Sequence, residues 1–157
     1  MKKLFFTVAL FATAFLQYSF AQDTTKTQAS SLLTSYFTLK DALVSSNANV
    51  AAASAAVFAK EVNDANQENL KNELRNALLS DAIVISQSKD LKVQREKFAS
   101  LSTNMLSFAK TVKLSKNPVY QQYCPMKKAS WLSDSKTIKN PYYGNAMLNC
   151  GSVKETF

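Results

Sequence analysis

From Ser30 to Lys113 the chain contains neither glycine nor proline. Those two residues are the strongest breakers of regular structure, so their absence over so long a stretch argues for helices joined by short polar turns. All three prolines and both glycines come later, at Pro118, Pro125, Pro141, Gly144 and Gly151. The chain therefore divides into a helical part and a C-terminal segment, 114–157, of different character.

Apolar residues recur within the first part at steps of three and four, the period of one face of a helix. The spacing predicts a first helix over Ser30–Ser46, with Leu32, Tyr36, Leu39 and Leu43 on its stripe and Ser45-Ser46-Asn47 ending it. A second, Ala-rich helix over Asn49–Asn63 buries Ala51, Ala55, Phe58 and Val62, its small residues allowing a close neighbour. Asp64–Gln67 is a polar turn. A third helix over Glu68–Gln87 carries Leu70, Leu74, Leu78, Ala82 and Ile85. The fourth, over Asp90–Lys113, has the most regular seam, Leu91, Gln94, Phe98, Leu101, Met105, Phe108 and Val112, broken only by Gln94. Short connections make successive helices antiparallel neighbours. The expected fold is all-α: an up-down-up-down four-helix bundle with an irregular Pro/Gly/aromatic-rich C-terminal segment packed across it. Within that segment Val119–Tyr123 reads as extended, and Ala129–Ser135 and Asn145–Asn149 as helical turns.

The N-terminus sets the expected compartment. Lys2 and Lys3 precede the apolar run Leu4–Phe20, and Ser19-Phe20-Ala21 forms a small-x-small cleavage site, the pattern of a secretory signal peptide over residues 1–21. The alternative is a retained anchor helix, for which the run is only marginally long. Residues 22–29, polar and Thr-rich, read as a disordered lead-in to one helical domain over 30–157. The expected product is periplasmic or secreted, without stable membrane insertion after cleavage. Its formal net charge falls from +8 to +6 once Lys2 and Lys3 are removed. That excess is scattered and not interleaved with aromatics, which argues for a solvated surface and against nucleic acid.

Enzymatic chemistry finds little footing. Histidine is absent, which removes the usual general base and the commonest metal ligand. There is no Gly-rich phosphate loop, and the two cysteines are too far apart in sequence for a C-x-x-C redox motif.

What remains is sulfur. Tyr123–Gly151 holds both cysteines, the single tryptophan and two of the four methionines. Its ends echo each other, Cys124-Pro125-Met126 against Met147-Leu148-Asn149-Cys150. Polarizable thiolate and thioether donors select soft metals, so four converging sulfurs would suit copper(I). An even pair of cysteines in an oxidising compartment is equally the signature of a disulfide. Closing the Cys124–Cys150 loop would stabilise the fold by about 3–4 kcal/mol on the chain-entropy account. Met126 and Met147 read as ligands or as core fillers, and Met105, at a seam position, as core. Trp131 reads as a packing anchor, with one of Tyr142 and Tyr143 buried. Gln94 and Arg95 read either as contacts to the C-terminal segment or as capping and solvated groups.

Two blocks of residues carry a family resemblance. In the fourth helix they are Gln94-Arg95-Glu96, Phe98 and Leu101-Ser102; in the C-terminal segment, Cys124-Pro125-Met126, Trp131-Leu132-Ser133, Ile138, Asn140-Pro141-Tyr142, Gly144, Met147-Leu148 and Cys150-Gly151. With these the chain resembles DUF3347, a family of exported Bacteroidetes-type proteins whose domain also occurs fused to membrane-fusion subunits of copper/silver efflux systems. The resemblance implies a helical periplasmic domain that binds heavy metal. Its metal ligands would be Cys124, Met126, Met147 and Cys150, its metal copper(I), and its partner a heavy-metal efflux membrane-fusion protein. A related heavy-metal motif places a histidine after C-P-M, where this chain has Lys127. A protonated lysine cannot ligate, so the resemblance implies a soft, all-sulfur site. The expected function is metal buffering or hand-over; the alternative is a disulfide-stapled helical interaction module that binds no metal.

Overall fold

The computed structural model describes residues 21–65, 70–112 and 114–157 of the chain. The expected signal peptide falls, apart from Ala21, outside the described residues, as do the expected start of the third helix at Glu68 and the end of the fourth at Lys113. Four helices follow one another: α1 Ala21–Val44, α2 Ala48–Asp64, α3 Asn72–Gln87 and α4 Leu91–Thr111. α1 begins at Ala21, so the stretch 22–29, expected as a disordered lead-in, is helical. Among the described residues no helix is long and apolar enough to cross a membrane.

The helix boundaries follow from local chemistry. Ser46 takes a positive φ of 57°, and the Asn47 N–H donates to the Ala42 carbonyl, turning the chain out of α1. Asn47 then accepts the Val50 N–H and caps α2, and Asp90 accepts the Lys92 N–H to cap α4. Each such cap satisfies an N–H that the first helical turn leaves without a partner. Successive helices pack on one another in chain order. Their stripes meet as expected, with Leu32, Tyr36, Leu39, Leu43, Ala51, Ala55, Phe58, Val62, Leu78, Ala82, Ile85, Phe98, Leu101 and Met105 all buried.

The break in the fourth seam is also explained. Gln94 is buried and its Nε2 donates to the carbonyls of Ala48 (2.9 Å) and Ser88 (2.8 Å). It ties the turn between α3 and α4 to the start of α2. A buried amide is accommodated here because its donors reach backbone carbonyls, among them that of Ser88 just past the last turn of α3, which has no partner within that helix.

The C-terminal segment corrects the all-α expectation. It forms a three-stranded antiparallel sheet of β1 Tyr120–Cys124, β2 Ala129–Ser133 and β3 Ser152–Thr156 in the order β2-β1-β3. Val119–Tyr123 was rightly read as extended, but Ala129–Ser135 holds a strand and not a helical turn. Between β2 and β3 the chain makes a short 3-10 turn at Gly144–Ala146.

β2 packs against α4, and its outer edge is covered. Ser130 and Leu132 direct their backbone groups away from β1, where an unpaired edge would invite further strands. The Leu132 N–H donates to the Tyr36 hydroxyl (3.1 Å), and the Tyr142 hydroxyl donates to the Ser130 carbonyl (2.6 Å). Tyr36 also shares a 2.8 Å hydrogen bond with Ser102. Its ring stacks on Phe98, which meets Tyr142, which in turn meets Trp131 edge-on. This chain of aromatic rings joins the helical core to the sheet.

Candidate metal centre

The register of the sheet brings the two ends of the C-terminal segment together. Tyr123 lies opposite Ser152, so Cys124, the last residue of β1, is carried alongside Cys150 just ahead of β3. The two Sγ atoms are 3.8 Å apart and both thiols are free. Cys124 is wholly buried, whereas Cys150 is partly exposed.

Three features hold this arrangement. Asn140, itself fully buried, uses both its backbone and its side chain. Its N–H donates to the Leu148 carbonyl (2.8 Å) and its carbonyl accepts the Gly144 N–H (2.9 Å). Its Nδ2 donates to the Cys150 carbonyl (2.8 Å), while Oδ1 accepts the Tyr142 N–H (2.8 Å). The loop bearing Cys150 is thus fixed from within.

Gly151 is the second feature. It has φ +153°, and a Cβ there would lie 2.9 Å from the Tyr123 carbonyl and 3.0 Å from the Trp131 ring. Only glycine lets the chain pass this close to β1 immediately after Cys150.

The third is Gly144, which seats the loop on the helices. Its φ is +54°, and a Cβ would come within 2.4 Å of Ser46 Oγ and 2.7 Å of the Arg95 guanidinium. Arg95 reaches across the junction, donating from Nε to the Pro141 carbonyl (3.0 Å) and from its terminal nitrogen to the Leu43 carbonyl (3.1 Å) and Ser46 Oγ (2.8 Å). Both readings of Arg95 are realised: it contacts the C-terminal segment at Pro141 and caps the last turn of α1 at Leu43.

The electrostatics of the pair are asymmetric. Burial pushes the Cys124 thiol up, but hydrogen bonds from the Lys127 N–H, the Asn140 side chain, Cys150 and the Met126 N–H together outweigh it, leaving Cys124 below the ordinary thiol range. Cys150 is raised, first by desolvation, then by its hydrogen bond to Cys124 and the charge on it, with partial relief from the Met126 N–H. The pair therefore takes its first negative charge below the ordinary thiol range, stabilised chiefly by the donors around Cys124.

Lys127 occupies the position of the histidine in the related motif, and the structure gives it other work. Its N–H donates to Cys124 Sγ (3.4 Å) and its ammonium pairs with Glu96 of α4. The hydrogen bond and the charge of Lys127 hold the Glu96 carboxyl below its usual range.

The two thioethers stand apart from this contact in burial. Met126 lies in the β1–β2 turn, 63% exposed, although its backbone N–H serves both cysteine sulfurs. Met147 is partly buried in the turn leading to Cys150, whose N–H donates to its carbonyl (3.1 Å). Among the described residues no three cysteine or carboxylate side chains gather into one cluster. Of the four expected sulfur ligands the structure brings Cys124 and Cys150 into contact, and a metal at this place would be held by those two.

The spacing of the two sulfurs fits that chemistry. With metal–sulfur bonds of roughly 2.3 Å, an S···S separation of 3.8 Å subtends about 110° at the metal, an angle suited to three- or four-coordinate soft ions. The two cysteines offer sulfur donors alone, and the surrounding N–H groups would offset the negative charge of a bis-thiolate.

Two residues central to this geometry were not singled out as such in the sequence. Asn140 was visible only as part of a block of rare residues, and Tyr36 only as one apolar position on a helical stripe. The signal for Asn140 was an amide before proline within an aromatic segment, a turn former whose side chain needs partners once buried.

No match was found among curated proteins or among solved structures. The family model described as "Protein of unknown function (DUF3347)" matches residues 32–117. That span takes in α1 from Leu32 onward, the other three helices and the Gln94–Ser102 block, and ends just before β1, so the sulfur-bearing segment lies beyond it. The match covers more than half of the chain, which belongs to the DUF3347 family.

Proposed function

We propose that the protein is an exported soft-metal carrier that binds copper(I) through Cys124 and Cys150 for buffering or hand-over to an efflux partner. The observation that supports it is the 3.8 Å contact between two free thiols from opposite ends of the C-terminal segment. Met126 and Met147 are the proposed thioether donors. An exposed Met126 suits capture of an ion arriving from solvent or from a partner, because a flexible thioether on the surface can bind first and pass the ion inward.

The chain's own groups prepare the site. Only a thiolate ligates, and the N–H groups of Met126 and Lys127 with the Asn140 amide favour that form at Cys124. Cys150 must give up its proton as metal binds, so affinity rises with pH. The reduced mature protein is expected to take one equivalent of copper(I) from a competing chelator. The double change Cys124→Ser with Cys150→Ser is expected to abolish that uptake, and unchanged uptake would overturn the proposal.

The same contact supports a second reading, a disulfide staple in a helical interaction module, since closing two sulfurs already in van der Waals contact needs little backbone movement. Thiol counting on the protein isolated unreduced from its native compartment separates the two. Free thiols with metal uptake favour the carrier; no free thiols, and no uptake after reduction, favour the staple.

A further inference from the structure

The pair also has a direction. Cys124 is fully buried and Cys150 is partly exposed, 3.8 Å away. Any reagent arriving from solvent must meet Cys150 first, and whatever forms there is within reach of Cys124 at once. We propose that Cys124 and Cys150 form a reversible thiol–disulfide exchange site for small-molecule disulfides of the glutathione class, with Cys150 as the thiol attacked from solvent and Cys124 as the resolving thiol.

The chemistry balances in two steps. The Cys150 thiolate attacks one sulfur of the incoming disulfide; that S–S bond breaks, one small thiolate leaves, and a mixed disulfide remains on Cys150. The Cys124 thiolate then attacks Cys150 Sγ, the mixed bond breaks, and the second small thiolate leaves. The cysteine pair gives up two electrons and two protons, and the small disulfide gains them as two thiols.

The surroundings support each step. The Lys127 N–H donates to Cys124 Sγ (3.4 Å), which holds the buried sulfur in place 3.8 Å from Cys150. Asn140 holds the Cys150 carbonyl, so the mixed disulfide forms on a loop that cannot swing away from its resolving partner. The inference rests on the geometry of the thiols and not on the metal reading, which can fail without it.

The test exposes reduced mature protein to oxidised glutathione, quenches with acid and measures intact and peptide masses over time. Wild-type protein is expected to lose two hydrogens and to show the glutathione adduct only transiently. Cys124→Ser is expected to hold a stable adduct on Cys150, and folded Cys150→Ser to gain none on Cys124. Because serine at a buried position can perturb folding, the order is also read in wild type: a sub-stoichiometric pulse of alkylating reagent should label Cys150 before Cys124. A stable adduct in wild-type protein, or Cys124 labelled as fast as Cys150, would overturn the proposal. Copper(I) uptake by the same reduced sample is scored separately, so loss of exchange and loss of metal binding are told apart.

Discussion

The four helices and the three-stranded sheet solve the same burial problem by different means. In α1–α4 each buried residue is one of a periodic series, and neighbours in sequence pack as neighbours in space. In the sheet the contacts that matter join distant parts of the chain: Tyr36 to Leu132, Arg95 to Pro141, Cys124 to Cys150. The helical part is held by repeated apolar surface, any piece of which is replaceable at a known cost. The sheet is seated on the helices by buried aromatic rings together with a few single-copy polar contacts and two glycines. The family match follows the same division, ending at residue 117 between α4 and β1.

Substitutions on the two sides of that division should behave differently. Leu78→Ala empties a fully buried helical position and is expected to cost about 2–5 kcal/mol, read from the denaturant midpoint, while thiol reactivity stays unchanged. A change in the ratio of Cys150 to Cys124 reactivity in that variant would break the comparison. Gly144→Ala places a Cβ against Ser46, Arg95 and the Val44 carbonyl at a left-handed φ, and should cost about 1–3 kcal/mol. Unlike the core change, it should raise the exposure of both cysteines to alkylation.

Tyr36→Phe keeps the ring stack but leaves the edge N–H of Leu132 and the hydroxyl of Ser102 without their partner. The expected loss is about 1–3 kcal/mol, accompanied by faster hydrogen exchange at Leu132. The smallest expected effect is a displacement of ionisation. Thiolate absorbance of the reduced protein should rise in two steps, one below and one above the ordinary thiol value, because the pair shares its first charge. In Asn140→Ala the lower step should move up, since a donor to the Cys124 thiolate is gone. A single step at the ordinary value would show that the two sulfurs do not interact.

Much of the helical part was legible because its signal is local. Leu32, Tyr36, Leu39 and Leu43 declare a buried face by spacing alone, and Ser45-Ser46-Asn47 declares its end. The strands gave no such signal. Trp131, Leu132 and Ser133 are buried in succession, because α4 covers one face while tyrosines cover the edge, so the alternation that marks a half-buried strand is missing. In β3 all five residues are exposed, leaving no apolar pattern at all. The sulfur pair was legible in identity and not in distance. The sequence echo between Cys124-Pro125-Met126 and Met147–Cys150 marked the residues, but their meeting is set by the pairing of Tyr123 with Ser152, a long-range register that spacing does not encode.

The most direct test of the central claim, that the sheet gathers soft donors from both ends of the C-terminal segment onto one ion, is X-ray absorption at the copper edge on reduced protein loaded with one equivalent of copper(I). The expected result is a first shell of sulfur alone, with both thiolates contributing and one sulfur lost in each single cysteine-to-serine variant. A shell of nitrogen or oxygen, or a spectrum unchanged when either cysteine is replaced, would contradict it.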